Sequence, residues 1–168
     1  YTYAISSGTE NGFSIDPVTG VITTHFKYDR EQTPAYILLI QARDSGTPMQ
    51  LSSTALVLVE IGDENDNVPT FPCSPMYARV LESTPVGTIV FKFVAIDHDK
   101  GPNGTVEFGI ISDNSSNLFV LDTSTQGLKL NASLDRHAES SGTFMFMVSL
   151  HDNGVPALTG TPGILLVE

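Results

Sequence analysis

The chain has 168 residues, 40% of them hydrophobic, with 19 Asp plus Glu against 8 Lys plus Arg and a formal charge of −11. That length accommodates one large domain or two of about 100 residues, and the apolar share excludes a disordered acidic tail. The charge argues against nucleic acid as a partner, because phosphate contacts require Lys and Arg clusters.

No apolar run approaches the ~18 residues of a membrane span, and no leader pattern is visible. The chain opens in mid-pattern on Tyr1-Thr2-Tyr3-Ala4-Ile5-Ser6. It is expected to be an excised fragment, so missing targeting segments do not describe its parent. Cys73 is the only cysteine, which excludes a disulfide within the chain. It is expected to be a small buried apolar residue, or else to bridge to a residue outside the fragment. Three Asn-x-Ser/Thr triplets, at Asn103, Asn114 and Asn131, are candidate glycosylation sites and permit a secreted reading.

In chain order, the pattern is one of short strands. The first is expected between Tyr3 and Ser6, followed by the turn Asp16-Pro17-Val18-Thr19-Gly20. Tyr36, Leu38, Ile40 and Ala42 then line one strand face, and Ala55, Val57, Val59 and Ile61 another. In the second half, Phe91, Phe93 and Ala95 alternate, as do Val106, Phe108 and Ile110, and Phe144, Phe146, Val148 and Leu150. Period two buries one face of each strand, and the β-branched and aromatic content suits a pleated surface. No amphipathic helix is expected. The chain also nearly repeats itself. Phe13-Ser14-Ile15-Asp16 parallels Phe119-Val120-Leu121-Asp122, Asp29-Arg30 parallels Asp135-Arg136, and Asp44-Ser45-Gly46 parallels Asp152-Asn153-Gly154. A period of about 106 residues means tandem whole domains and not a solenoid of small units. Antiparallel sandwiches follow.

The boundary falls in the polar stretch Asp63-Glu64-Asn65-Asp66-Asn67-Val68-Pro69, where Pro69 forces Val68 into an extended conformation. This predicts a repeat over 1–62, a linker over 63–69 and a second repeat over 70–168. Around the linker recur Asp29-Arg30-Glu31, Asp97-His98-Asp99 with the following turn at Asn103, and the loop at Asp152. Seven carboxylates (Asp29, Glu31, Asp63, Asp66, Asp97, Asp99 and Asp152) are thereby proposed for one site. Like charges at ~4 Å repel by roughly 4 kcal/mol at an effective dielectric near 20. Two or three calcium ions would reverse that sign, since calcium accepts six to eight oxygens in irregular geometry whereas magnesium demands a strict octahedron. An EF-hand is excluded: counted from Asp63, the sixth and twelfth positions are Val68 and Ser74, where Gly and Glu are required. Zinc is disfavoured by one Cys and scattered His, and His98 and His151 are read as polar loop residues. No Gly-x-Ser-x-Gly elbow or phosphate loop supports an enzyme.

These residues resemble the calcium-binding motifs of cadherin repeats. The resemblance is carried by Asp29-Arg30-Glu31, Ala42-Arg43-Asp44-Ser45-Gly46, Asp63-Glu64-Asn65-Asp66-Asn67-Val68-Pro69-Thr70-Phe71, Glu82 and Asp97-His98-Asp99, and runs over essentially the whole chain. It implies an all-β fold of tandem Greek-key, immunoglobulin-like sandwiches, the first lacking its N-terminal strands and with them one glutamate ligand. It implies up to three calcium ions at the linker. The implied ligands are Asp29, Glu31, Asp63, Asn65, Asp66, Asp97, Asp99 and Asp152 through side chains, and Glu64, Asn67 and Asn103 through backbone carbonyls. Asp44 would serve an upstream linker, and Glu82 and Asp135 a downstream one. His137 stands where the family has glutamate, which predicts a weaker downstream site. The implied function is calcium binding that rigidifies a rod for homophilic cell–cell adhesion, the alternative being a spacer or a heterophilic recognition module. Partners would be other cadherin-like chains, in the extracellular region of a plasma-membrane protein held by a membrane span outside the fragment. With no Trp, the tryptophan-exchange adhesion of some family members has no residue to use.

Overall fold

A computed structural model of the chain describes residues 1–8, 12–134 and 142–168. All regular structure among them is β, and the chain divides into two compact units, Tyr1–Asp63 and Glu64–Glu168.

The first unit contains β1 (Thr2–Ser7), β2 (Phe13–Ile15), β3 (Ile22–Thr24), β4 (Ala35–Arg43) and β5 (Ser52–Glu60). An antiparallel sheet runs β1-β4-β5, and β2 and β3 form a hairpin. Register sets Tyr36 opposite Val59, Leu38 opposite Val57 and Ile40 between Ile5 and Ala55, so these side chains share one face. Leu38 is fully buried there. Phe13 closes over the face, stacking on Tyr28 at 5.2 Å and meeting Tyr36 edge-on at 5.5 Å. Ala55, expected on the buried face, is exposed; it lies toward the Ser52 end of β5, away from Phe13's partners opposite Val59.

The second unit contains β6 (Met76–Ala78), β7 (Ile89–Lys92), β8 (Val106–Asp113), β9 (Phe119–Asp122), β10 (Gly127–Leu130), β11 (Phe144–Asp152) and β12 (Gly163–Val167). One sheet is ordered β6-β12-β11-β8 and the other β7-β10-β9, with β6 parallel to β12 and the remaining pairs antiparallel. This is the Greek-key sandwich of the immunoglobulin type. Phe144, Phe146, Val148 and Leu150 of β11 are all buried, against Leu165 and Val167 of β12 and Leu128 and Leu130 of β10. Phe91 lies in β7, but Phe93 and Ala95 lie beyond it. Phe93 is nevertheless buried, its N–H donating to Gln126 O at 2.9 Å.

The repeat is visible in the hairpins. Asp16 Oδ1 accepts the N–H groups of Val18 and Thr19 at 2.9 and 2.7 Å, and Asp122 Oδ1 accepts those of Ser124 and Thr125 at 3.0 and 3.3 Å. Both hairpins need one residue in the left-handed region. Gly20 (φ 74°) supplies it in the first and Gln126 (φ 55°) in the second. Gln126 is held there by its own side chain, which donates to Thr123 O at 2.9 Å and accepts from Phe108 N–H at 3.3 Å.

Cys73 is exposed and not buried as expected. It lies in the irregular run between Pro72 and Pro75, ahead of β6, where no strand turns alternate residues inward.

Phe146→Ala should destabilise the second unit by about 3–5 kcal/mol, as emptying a filled core site does. Leu56→Ala, on the exposed face of β5, should stay within about 0.5 kcal/mol. Thermal denaturation of the two variants checks both.

Candidate metal centre

In the first unit, the acidic residues lie where β4 begins and β5 ends. Asp29 caps a turn: its Oδ1 accepts Gln32 N–H at 3.0 Å, its Oδ2 accepts the Gln32 amide at 2.8 Å, and its carbonyl accepts Thr33 N–H at 3.0 Å. Arg30 is buried and forks between two carboxylates, pairing with Glu31 through Nη2 and with Asp63 Oδ1 through Nε at 2.5 Å. Carboxylate oxygens of Glu31 and Asp63 come within 4.8 Å of one another. Arg30 offsets one of those two charges. It was not among the expected site residues, although its position between Asp29 and Glu31 was signal enough. Asp44 lies just beyond the far end of β4. Its Oδ1 accepts Leu51 N–H at 2.8 Å and Gly46 N–H at 3.1 Å, and these two bonds hold its carboxyl below the usual range.

In the second unit, Asn65, Asp66, Asn67, Asp97, Asp99, Asn103 and Asp152 are held around one set of loops. A two-residue bridge between Thr70 and Ile96 (N···O 2.9 and 2.8 Å) fastens the chain after the linker to the residue preceding Asp97. Asn67 then grips Asp99 twice, by its backbone N–H to Oδ2 at 3.1 Å and its amide to Oδ1 at 2.7 Å, and also reaches Asp66 Oδ1 at 2.9 Å. Asp97 Oδ1 accepts Asp99 N–H at 3.0 Å. Asp152 is fully buried, its Oδ1 accepting Gly154 N–H at 2.8 Å, Leu158 N–H at 3.1 Å and the Asn65 amide at 3.1 Å. The same Asn65 nitrogen donates to Pro156 O at 2.7 Å. Glu64 is exposed, and its carbonyl, an expected ligand, accepts Asp66 N–H at 3.1 Å.

Two glycines make this packing possible. A Cβ on Gly154 would stand 2.2 Å from Asn65 Nδ2 and 2.8 Å from Asn103 Oδ1, and one on Gly104 would stand 2.1 Å from Asp99 O. Asn103 Oδ1 thus lies beside Gly154, the residue that Asn65 Nδ2 also approaches; its backbone carbonyl is the ligand that the family resemblance implies. Glu82 is exposed in the turn after β6. Asp135 lies outside the described residues.

Two buried oxygens of the second unit, Asn65 Oδ1 and Asp97 Oδ2, have no hydrogen-bond partner. Buried acceptors are almost always satisfied, and a cation is one partner that would satisfy both. The fit to calcium is good: the bare atoms are a carboxylate and an amide oxygen, with further carboxylates at Asp66 and Asp99, all hard donors. Asn65 is oriented for this, because both bonds to its nitrogen turn its oxygen away from Asp152 and Pro156. Burial, together with the charges of Asp99 and Asp152, pushes the Asp97 carboxyl above its usual range, against the opposing bond from Asp99 N–H. The set is therefore electrostatically uncomfortable without a counter-charge.

Asp97→Asn should raise the melting temperature in chelator by a few degrees, about 1 kcal/mol at the transition, and should remove most of the gain that calcium gives the parent. Gly154→Ala displaces Asn65 and should weaken calcium binding by about 10-fold or more, as supporting-residue changes at metal sites do. Calorimetric titration and thermal melts check both.

The cadherin domain family matches residues 1–62 and 77–165. Among curated proteins, the chain is 40% identical to mouse Protocadherin Fat 4, over 98% of the chain and 3% of that protein. It is 36% identical to mouse Cadherin EGF LAG seven-pass G-type receptor 2, over 96% of the chain and 6% of that protein. The chain thus spans only a few per cent of the length of such relatives. Solved structures similar to it include the Protocadherin GammaB4 extracellular domain (TM-score 0.80, 27% identity, 99% of this chain and 28% of that one). Another is mouse Cadherin-23 EC22-24 (TM-score 0.75, 29% identity, 99% of this chain and 51% of that one). With family matches in both units, and with the Asp63–Phe71 signature between them, the chain belongs to the cadherin family.

Proposed function

We propose that this chain is a pair of extracellular repeats, 1–62 and 70–168, whose 63–69 linker and flanking acidic loops bind calcium, up to three ions, and so stiffen a cell-surface rod used in homophilic adhesion. The observation that carries this reading is the pair of bare, buried oxygens on Asn65 and Asp97 among anionic neighbours. Bound calcium would supply the missing positive charge and cross-link oxygens from different loops. Asp97, Asp99, Asn65 and Asp66 would hold it from the second repeat, and Asp29, Glu31 and Asp63 from the first. The family's extracellular adhesion role supports the same reading and gives no support to catalysis. Membrane attachment would come from a segment elsewhere in the parent protein.

One surface observation favours contact-making over a passive spacer. The same positions are apolar and outward on both units. Ile37 faces Leu58 and Leu39 faces Leu56 across β4 and β5, and Met145 faces Leu166 and Met147 faces Ile164 across β11 and β12. Six of these eight (all but Leu39 and Leu166) are exposed. Clustered exposed apolar side chains mark association surfaces more than scattered ones do.

Calcium added to the chelated 168-residue chain should raise its melting temperature. A 100-fold excess over Kd corresponds to about 2.7 kcal/mol. Magnesium at the same concentration should do much less. Sedimentation with and without calcium tests self-association. No calcium uptake by calorimetry rejects the junction site; uptake with a strictly monomeric chain leaves the spacer or heterophilic reading.

A further inference from the structure

We propose that Asn114 and Asn131 are N-glycosylated and that Asn103, which carries the same acceptor triplet, is not. This rests on the extracellular reading above, because the chemistry belongs to the secretory pathway. The asparagine Nδ2 attacks the anomeric carbon of a polyprenyl-pyrophosphate-linked oligosaccharide. The carbon–oxygen bond to pyrophosphate breaks, the pyrophosphate departs with the electron pair, and Nδ2 gives up one proton. A folded glycoprotein must then leave open space at that nitrogen.

The three sites differ in exposure and in their place on the fold. Asn114 follows β8 and is exposed. Among the described residues its side chain bonds through the oxygen: Oδ1 accepts Met145 N–H at 2.7 Å. That bond fixes the side chain at the start of β11 and does not involve the nitrogen that takes the sugar. Asn131, just past β10, is also exposed, and its Nδ2 donates to Asn117 O at 3.1 Å. A glycosylated amide keeps one N–H, so the nitrogen retains a donor for Asn117 O. Asn103 is half-buried, and its Oδ1 lies beside the Cα of Gly154, where an added Cβ would come within 2.8 Å of it. Its loop is closed by Asn153 N–H to Pro102 O at 3.1 Å, and the Thr105 hydroxyl is tied to Gly101 O at 2.7 Å. A sugar on Asn103 would stand in the loop beside Gly154, whose N–H anchors Asp152.

Strand register separates the two classes of site. β8 starts at Val106, opposite Asp152, and ends at Asp113, opposite Phe146. Its length puts Asn114 about 24 Å along the strand from the acidic loops. Asn131 lies at the Asn114 end too, since Leu130 pairs with Phe119 and Asn131 N–H donates to Leu118 O. Glycans at Asn114 and Asn131 therefore stand clear of the acidic loops, whereas one at Asn103 would lie among them.

The test is to secrete the chain behind a leader from cultured animal cells, remove N-glycans enzymatically in heavy-oxygen water, and map labelled aspartate by peptide mass spectrometry. Asn114 and Asn131 should carry the label and Asn103 should not, and Asn114→Gln and Asn131→Gln should each remove one glycan step on a gel. Label at Asn103 in the soluble secreted protein, or its absence at Asn114 or Asn131, overturns the assignment. Calcium titration of the same preparation separates the two readings. Calcium uptake without glycans sinks only this inference, and glycans without calcium uptake sink only the junction site.

Discussion

Carboxylates fixed in place by backbone hydrogen bonds cannot move apart to relieve their repulsion, and that constraint governs the acidic loops of this chain. Asp152 is anchored by Gly154 and Leu158, Asp99 by Asn67, and Asp97 by Asp99 N–H. Together these bonds hold the charges in a partly buried loop cluster where solvent screens poorly. The raised Asp97 carboxyl is the local sign of that tension. A fold that builds such a cluster either carries a permanent positive side chain or leaves oxygens open for a cation.

The two units use both devices. In the first, Arg30 sits between Glu31 and Asp63 and takes up part of their charge within the protein. In the second, backbone N–H groups and asparagine amides hold the acids, and both donate hydrogen bonds without bringing net charge. Asn65 and Asn67 consequently orient the oxygens around them without neutralising them, and Asn65 presents its own oxygen bare. This division explains why Asn and Asp alternate in the linker: the acids supply charge, and the amides position it.

Strand alternation, the internal repeat and the linker signature could be read directly, because period two and turn chemistry are local properties. Phe144, Phe146, Val148 and Leu150 needed only their spacing to be placed in a core. Elsewhere local pattern and packing part company. Cys73 has an apolar character but no strand to bury it. Phe93 is buried past the end of its strand. Ala55 alternates correctly on a strand end that nothing covers. Gln126 occupies a left-handed position that its repeat partner gives to Gly20, a substitution that depends on the reach of its side chain to Thr123 and Phe108.

By itself the sequence determined the fold class, the repeat and the identity of the acidic residues, since each is written in spacing or in residue type. Only the tertiary structure decided which atoms those residues leave free. Asn65 turns its oxygen away from Asp152 and Pro156 because these two residues, some 90 positions on, engage its nitrogen, and Asn103 Oδ1 can lie against Gly154 because that residue lacks a side chain. Hydrogen-bond partners so distant in sequence are set by how the strands return to one another, and no local pattern encodes that.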